Sequence, residues 1–204
     1  MLILVRHGQT AANASGLLLG AGSDPPLTEL GQRQASALAR AGGVGAAARV
    51  VCSPLRRARE TAAALGPPVV VDERWIEIGY GVYEGVPLAG VPDEVWTTWR
   101  ADPTWAPPGG ESLSAVGARV RAACEDLSAE ASLADVVVVS HVSPIKAAVA
   151  WALGVGDEVS WRMFLEVAAL CRVRVGPRGP SLASYGERIA IGPATNEERS
   201  GHEL

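Results

Sequence analysis

Five short apolar runs rich in β-branched residues constrain the fold of this chain more than anything else in it. They occupy Leu2–Val5, Arg49–Ser53, Val69–Val71, Val136–Ser140 and Leu170–Val175. Several are continuously hydrophobic rather than alternating, the pattern of strands buried on both faces. Helical signals lie between them. Thr28 reads as the N-cap of a helix carrying Leu30, Ala35 and Leu38 on one side. Ser53-Pro54 reads as the cap and first position of a helix running toward Gly66. Ser143-Pro144 repeats that device before Ile145, Ala148, Val149 and Ala152, and Gly154 ends the helix. Ser112 reads as the cap of a further helix. This alternation predicts an α/β fold, a three-layer sandwich with a mostly parallel central sheet and helices on both faces.

Two stretches break the rhythm. Between about 82 and 112 the chain carries Pro87, Pro92, Pro103, Pro107 and Pro108, with Trp96, Trp99 and Trp105 among them. That composition predicts an irregular insertion with a short helix, lying over the sheet as a flap. From about 176 to 204 glycine, proline and charge predict a loop-rich tail beyond a hairpin strand. No internal repeat is visible, and 204 residues suit one domain spanning 1–204.

Bulk composition narrows the function classes. Hydrophobic residues make up 48%, enough for a packed interior. The formal net charge of -4, with no long basic run, argues against a nucleic-acid partner. Cys52, Cys124 and Cys171 are far apart and suggest neither a disulfide framework nor a zinc site, so a reducing cytoplasm is expected. The apolar run Met1–Val5 is too short for a membrane span or a signal core, and no membrane partner is expected. His202-Glu203-Leu204 echoes a retention signal only by chance. A homodimer stays open.

The chemistry concentrates where the first strand ends, in Arg6-His7-Gly8-Gln9-Thr10 followed by Asn13. Open α/β sheets place ligands at the carboxyl ends of their strands. Arg6 offers a planar fork of donors for a phosphate dianion, and Gly8 lets the backbone approach closely. The Thr10 hydroxyl and the Asn13 amide supply neutral donors. Imidazole, with an ordinary pKa of about 6.5, has a substantial neutral fraction near pH 7 and is then a nucleophile.

Arg6-His7-Gly8 with Thr10 and Asn13 resembles the signature of the histidine phosphatase (phosphoglycerate mutase-like) superfamily. Ser53-Pro54-Leu55-Arg56-Arg57-Ala58 with Thr61-Ala62 is similar to the second motif of that superfamily. The arginine directly before alanine, Arg57, is its phosphate ligand, while Arg56 suits a surface pair with Glu60. Glu77, four residues before Gly81 and followed by Glu84-Gly85, resembles the proton-donor segment, in preference to Glu73 or Glu84. Ser140-His141 resembles the last motif, whose histidine completes the phosphate pocket. The resemblance covers roughly residues 2 to 155 and rests on four motifs in order. It departs at Val142, where such families usually carry glycine.

The resemblance implies a mechanism. His7 attacks phosphorus in line and forms phosphohistidine, dividing hydrolysis into two displacements. Arg6, Arg57, His141 and Asn13 surround the transferring group and offset its charge. Glu77 protonates the leaving alkoxide and then serves the attacking water, work typically worth about 10²–10⁴-fold. A protonated Glu77 at the outset implies an acidic to neutral pH optimum. No metal and no other cofactor is implied, since arginines supply the positive charge.

The short flap and the Gly81–Gly85 segment look more like the phosphatase branch than a cofactor-dependent phosphoglycerate mutase, which is usually longer. Trp99–Trp105 followed by Gly109-Gly110-Glu111-Ser112 is similar to the flap of actinobacterial sugar-phosphate phosphatases. The expected partner is therefore a small phosphorylated metabolite, a sugar phosphate or a phosphoglycerate derivative. A catalytically silent phospho-ligand binding protein is the rival from another class. A metallohydrolase is a third, but no H-x-x-x-H or H-x-D spacing serves it. The tryptophans read as packing, and Lys146, the only lysine, as a solvated helix residue.

Overall fold

Each of the five apolar runs forms a strand, and a sixth strand follows the last of them through a tight hairpin. The computed structural model describes residues 1–40, 44, 46–66 and 68–191. Its regular elements begin with β1 (Leu2–Arg6), α1 (Ala11–Ala14), α2 (Glu29–Ala39), β2 (Arg49–Cys52), α3 (Arg56–Ala63) and β3 (Val69–Val71). They continue with α4 (Asp93–Ala101), α5 (Leu113–Leu133), β4 (Val136–Ser140), α6 (Val142–Leu153), β5 (Leu170–Gly176) and β6 (Gly179–Glu187). The strands form one sheet in the order β3-β2-β4-β1-β5-β6. β3, β2, β4 and β1 run parallel, and β5 lies antiparallel to both of its neighbours. The sheet is mostly parallel, as expected.

Alternation along the strands builds a core on each face. Leu2, Leu4, Val51, Val136 and Val138 meet Val116, Val120 and Cys124 of α5 and Ile145 and Val149 of α6. Ile3, Val5, Val50, Cys52, Val137 and Val139 face the other way, onto Leu38 of α2 and Ala58 and Ala62 of α3. All of these side chains are buried, each large aliphatic one contributing about 1.5–3 kcal/mol by leaving water. Helices on both faces make the third layer. The three cysteines are buried free thiols.

Two helix starts differ from the sequence expectation, for one shared reason. α3 begins at Arg56 with Leu55 as N-cap, rather than at Pro54. Ser53 is diverted to His141, and the Arg56 N–H finds its acceptor in Asp24 Oδ1 at 2.5 Å. α6 begins at Val142 with His141 as N-cap, so Pro144 is third in the helix rather than first. There Glu77 accepts from the Ser143 N–H. In both helices a distant carboxylate supplies the cap that the local serine was expected to give. Thr28 and Ser112 do cap their helices, accepting from the Gly31 and Ala115 N–H groups.

The stretch 82–112 contains α4 and short 3-10 turns. Trp99 of α4 is buried at the centre of an aromatic cluster with Tyr80, Trp96, Trp105 and Trp161, ring centroids 5.6–6.0 Å away. Packing, the reading given to these tryptophans, is what most of their surface does. β6 supplies the hairpin strand of the tail, and residues 192–204, with His202-Glu203-Leu204, lie outside the described residues.

Candidate active site

Strand register brings the motifs together. The last pair of the β1–β4 ladder is Arg6 with Ser140, so His7 and His141 are each one residue beyond the carboxyl ends of adjacent parallel strands. Ser53 stands one residue beyond β2, on the other side of β4, and its N–H bonds the Val139 carbonyl. The His7 N–H bonds the Ser140 carbonyl at 3.0 Å. The two imidazole rings are 5.0 Å apart, centroid to centroid.

His7 is 2% exposed, and its Nδ1 is 2.7 Å from the Gly8 carbonyl oxygen. A carbonyl only accepts, so Nδ1 carries the proton and Nε2 keeps its lone pair. Burial pushes the His7 pKa well below 6.5, and Arg6 and Arg57 push it further. The ring is therefore neutral near pH 7 with one nitrogen free to attack.

Arg57 is fully buried and held by three bonds: Nε to His141 Nδ1 at 3.2 Å, and the two terminal nitrogens to the carbonyls of Ser23 (2.6 Å) and Gly20 (3.0 Å). Arg56, its rival, instead pairs with Glu60 at 2.6 Å on the helix surface. Arg6 donates to the Leu165 carbonyl at 2.5 Å, while its Nε is buried without a partner. Burial lowers the pKa of both guanidinium groups, and Glu77 is the foremost charge countering that.

Guanidinium nitrogen only donates, so His141 Nδ1 accepts from Arg57, and Nε2 must carry the proton given to Ser53 Oγ at 2.7 Å. His141 too is held neutral, its pKa pulled well below 6.5 by burial and then by His7 and the arginines. Both of its ring nitrogens are thus engaged by the protein. Glu77, 3% exposed, accepts through Oε1 from the Ile78 N–H (2.9 Å) and the Ser143 N–H (3.2 Å). Two guanidinium groups, two neutral imidazoles and one carboxylate leave a pocket with a net positive field, which suits an anion.

Gly8 and Thr10 serve other ends than those expected. A Cβ on Gly8 would stand 2.5 Å from the Gly31 carbonyl oxygen, so it is contact with α2 that demands glycine there. The Gly8 N–H is taken by Thr61 Oγ1 at 3.0 Å, which ties the first motif to the second. Thr10 caps α1, accepting from the Asn13 N–H and donating to Asn13 Oδ1. That fixes Asn13 through its oxygen and leaves its NH₂ as the free end. Lys146 is half-buried rather than solvated, beside a cavity that begins at Ser143.

Several contributors carried no sequence signal as site residues. The Gly20, Ser23 and Leu165 groups act through their carbonyls, which any residue supplies. Ser53 was visible, but as a cap. Among the described residues no group of three or more His, Cys, Asp and Glu is placed to hold a metal ion.

The sequence profile of the histidine phosphatase superfamily (branch 1) matches residues 2–188. A bifunctional protein of Mycobacterium tuberculosis is 41% identical over 180 residues, 83% of this chain and 48% of that protein. This chain thus spans about half the length of the first curated relatives it matches. Glucosyl-3-phosphoglycerate phosphatase of M. tuberculosis is 39% identical over 135 residues, 63% of this chain and 60% of that one. The mycobacterial structure of glucosyl-3-phosphoglycerate phosphatase with VO3 superposes with a TM-score of 0.81 at 32% identity, covering 91% of this chain and 98% of the other. A strand-end histidine pair, a buried arginine bonded to the second of them and a family match over nearly the whole sequence agree: the chain belongs to the histidine phosphatase superfamily.

Proposed function

We propose that the chain is a phosphomonoesterase that works without metal through phosphohistidine at His7. The observation that carries this reading is the tautomer of His7. Its Nδ1–H is committed to the Gly8 carbonyl, and a lone pair on Nε2 remains on a ring that burial, and then Arg6 and Arg57, keep neutral. Attack on phosphorus forms the N–P bond as the ester P–O bond breaks. Arg6, Arg57 and the Asn13 NH₂ offset the charge on the equatorial oxygens. A dianion arriving beside His141 favours protonation of Nδ1, which turns that nitrogen from the acceptor of an Arg57 bond into a donor to phosphate. The cycle begins with Glu77 protonated: it gives that proton to the leaving alkoxide and regains one from the water that opens phosphohistidine.

The substrate read here is a small phosphorylated metabolite, a sugar phosphate or a phosphoglycerate derivative, and the glucosyl-3-phosphoglycerate phosphatase relatives support it. The stretch 82–112 is read as the flap bounding the leaving-group side. Three buried free thiols fit a reducing cytoplasm, no helix among the described residues is long and apolar enough to cross a membrane, and a homodimer is a reading that sedimentation measures directly. The experiment is phosphate release from p-nitrophenyl phosphate, in chelator at acidic to neutral pH, by the wild type and His7→Ala. Turnover that the substitution abolishes supports the reading; turnover surviving in His7→Ala, or lost to the chelator, overturns it.

A further inference from the structure

Next to Glu77 lies a cavity of about 150 Å³ that the phosphoryl chemistry does not use. Ser143 joins the two: it is one of the cavity's lining residues, and its N–H donates to Glu77. Glu77 and this cavity are therefore one residue apart, on either side of Ser143. Leu18, Ile78, Leu88 and Val142 give the cavity apolar walls, with Tyr80 and the indoles of Trp96, Trp99 and Trp161.

One charged residue lines it, and that residue is Lys146. No carboxylate is among the lining residues, and the ammonium makes no hydrogen bond or ion pair among the described residues. The charges that Lys146 feels are Glu77, which steadies the cation, and Arg6, which opposes it; burial outweighs both and lowers its pKa. The indole N–H groups of Trp99 and Trp161, two of the lining residues, are buried with no acceptor. Outside, the Arg100 guanidinium lies 5.8 Å from the centroid of the Trp161 ring, adding positive charge. The cavity has a cation at its wall and no carboxylate to pair with it. A half-buried ammonium without a partner is partly desolvated, and an anionic ligand that pairs with it offsets that cost.

We propose that this cavity is the leaving-group subsite, and that Lys146 binds a carboxylate carried by the alcohol half of the phosphomonoester. The inference rests on the phosphatase reading and names its substrate class: phosphomonoesters of short hydroxy acids. The volume, below the roughly 300–1,000 Å³ of drug-sized sites, sets the length at a few carbons.

Matched substrates test it. 3-Phosphoglycerate and glycerol 3-phosphate differ by carboxylate against hydroxymethyl, and phosphoserine and phosphoethanolamine differ by one carboxylate. The ratio of kcat/KM within each pair, measured for the wild type, Lys146→Met and Lys146→Arg, cancels any general loss of active protein. The wild type favours the carboxylate partner by about tenfold or more, the scale of one charge-assisted hydrogen bond. Lys146→Met brings the ratio near one, and Lys146→Arg restores most of it. A ratio near one in the wild type, or one unchanged in Lys146→Met, overturns the subsite. If either accompanies His7-dependent release from p-nitrophenyl phosphate, the phosphatase reading still stands. Should no ester be turned over, that reading falls alone, and calorimetric binding of the same pairs decides the subsite by the same ratios.

Discussion

Gly31→Ala tests whether the His7 loop is held by its contact with α2. Alanine is the better helix former by about 1 kcal/mol, so propensity alone predicts a gain in stability at this helical position. The structure predicts the reverse. A Cβ on Gly31 would stand 2.2 Å from the Gln9 carbonyl oxygen and 3.0 Å from the Gln9 nitrogen, both backbone atoms two residues from His7. Restoring ordinary contact at 3.4 Å requires the loop or α2 to move by about 1 Å. The move strains the bond from the Thr28 N–H to the Gln9 carbonyl, now 2.9 Å. Overpacking of this kind costs typically 1–3 kcal/mol, which exceeds the propensity gain. At about 2–4 °C per kcal/mol for a chain of this size, the midpoint falls by several degrees. A reacting group misplaced by about 1 Å loses on the order of 10²-fold in rate, although Gly31 touches no substrate. Thermal unfolding and kcat on p-nitrophenyl phosphate measure both effects. A Gly31→Ala protein as stable as the wild type or more so, with kcat intact, refutes the reasoning.

Two further outcomes follow from the histidines. Ser53→Ala leaves the His141 Nε2 proton buried without its acceptor, a loss of about 1–3 kcal/mol visible in denaturant unfolding, with a drop in kcat/KM of about tenfold as the ring reorients. Unchanged stability and rate would show that the Ser53 bond holds nothing. Stability also depends on pH. Both histidines have folded pKa values depressed below 6.5, so above pH 6.5 they are neutral folded or unfolded and add no slope. Below it the unfolded chain takes up protons that the folded one refuses, and stability falls by up to about 1.36 kcal/mol per pH unit for each. His7→Gln should flatten the decline between pH 6.5 and 5 by about one proton's worth; an identical slope in urea unfolding would contradict the burial argument.

The strands are legible in the sequence for physical reasons, and the candidate site residues for their match to family motifs. Buried parallel strands must be continuously apolar, and His7 and His141 each stand one residue beyond such a strand, while Arg57 and Glu77 are picked out by the family motifs they resemble. What was hidden depends on partners far away in the chain. Ser53 and Ser143 carry the local chemistry of helix caps, yet the caps come from Asp24 and Glu77, and only the tertiary fold reveals this. Gly8 was read as room for phosphate, although the neighbour needing room is Gly31. β6 offers alternating, half-exposed Gly, Pro and Ser positions, a weak strand signal that pairing with β5 overrides. Lys146 looked solvated because its helix positions say nothing about the cavity beside it.

The most direct test of the central claim is the site of phosphoryl transfer. The wild type, mixed rapidly with radiolabelled substrate and quenched in alkali, where phosphohistidine survives, is digested and its labelled peptide mapped. One phosphoryl group is expected, on His7, forming and decaying at rates that support turnover. Label on any other residue, or a labelled His7 that decays more slowly than the enzyme turns over, would contradict it.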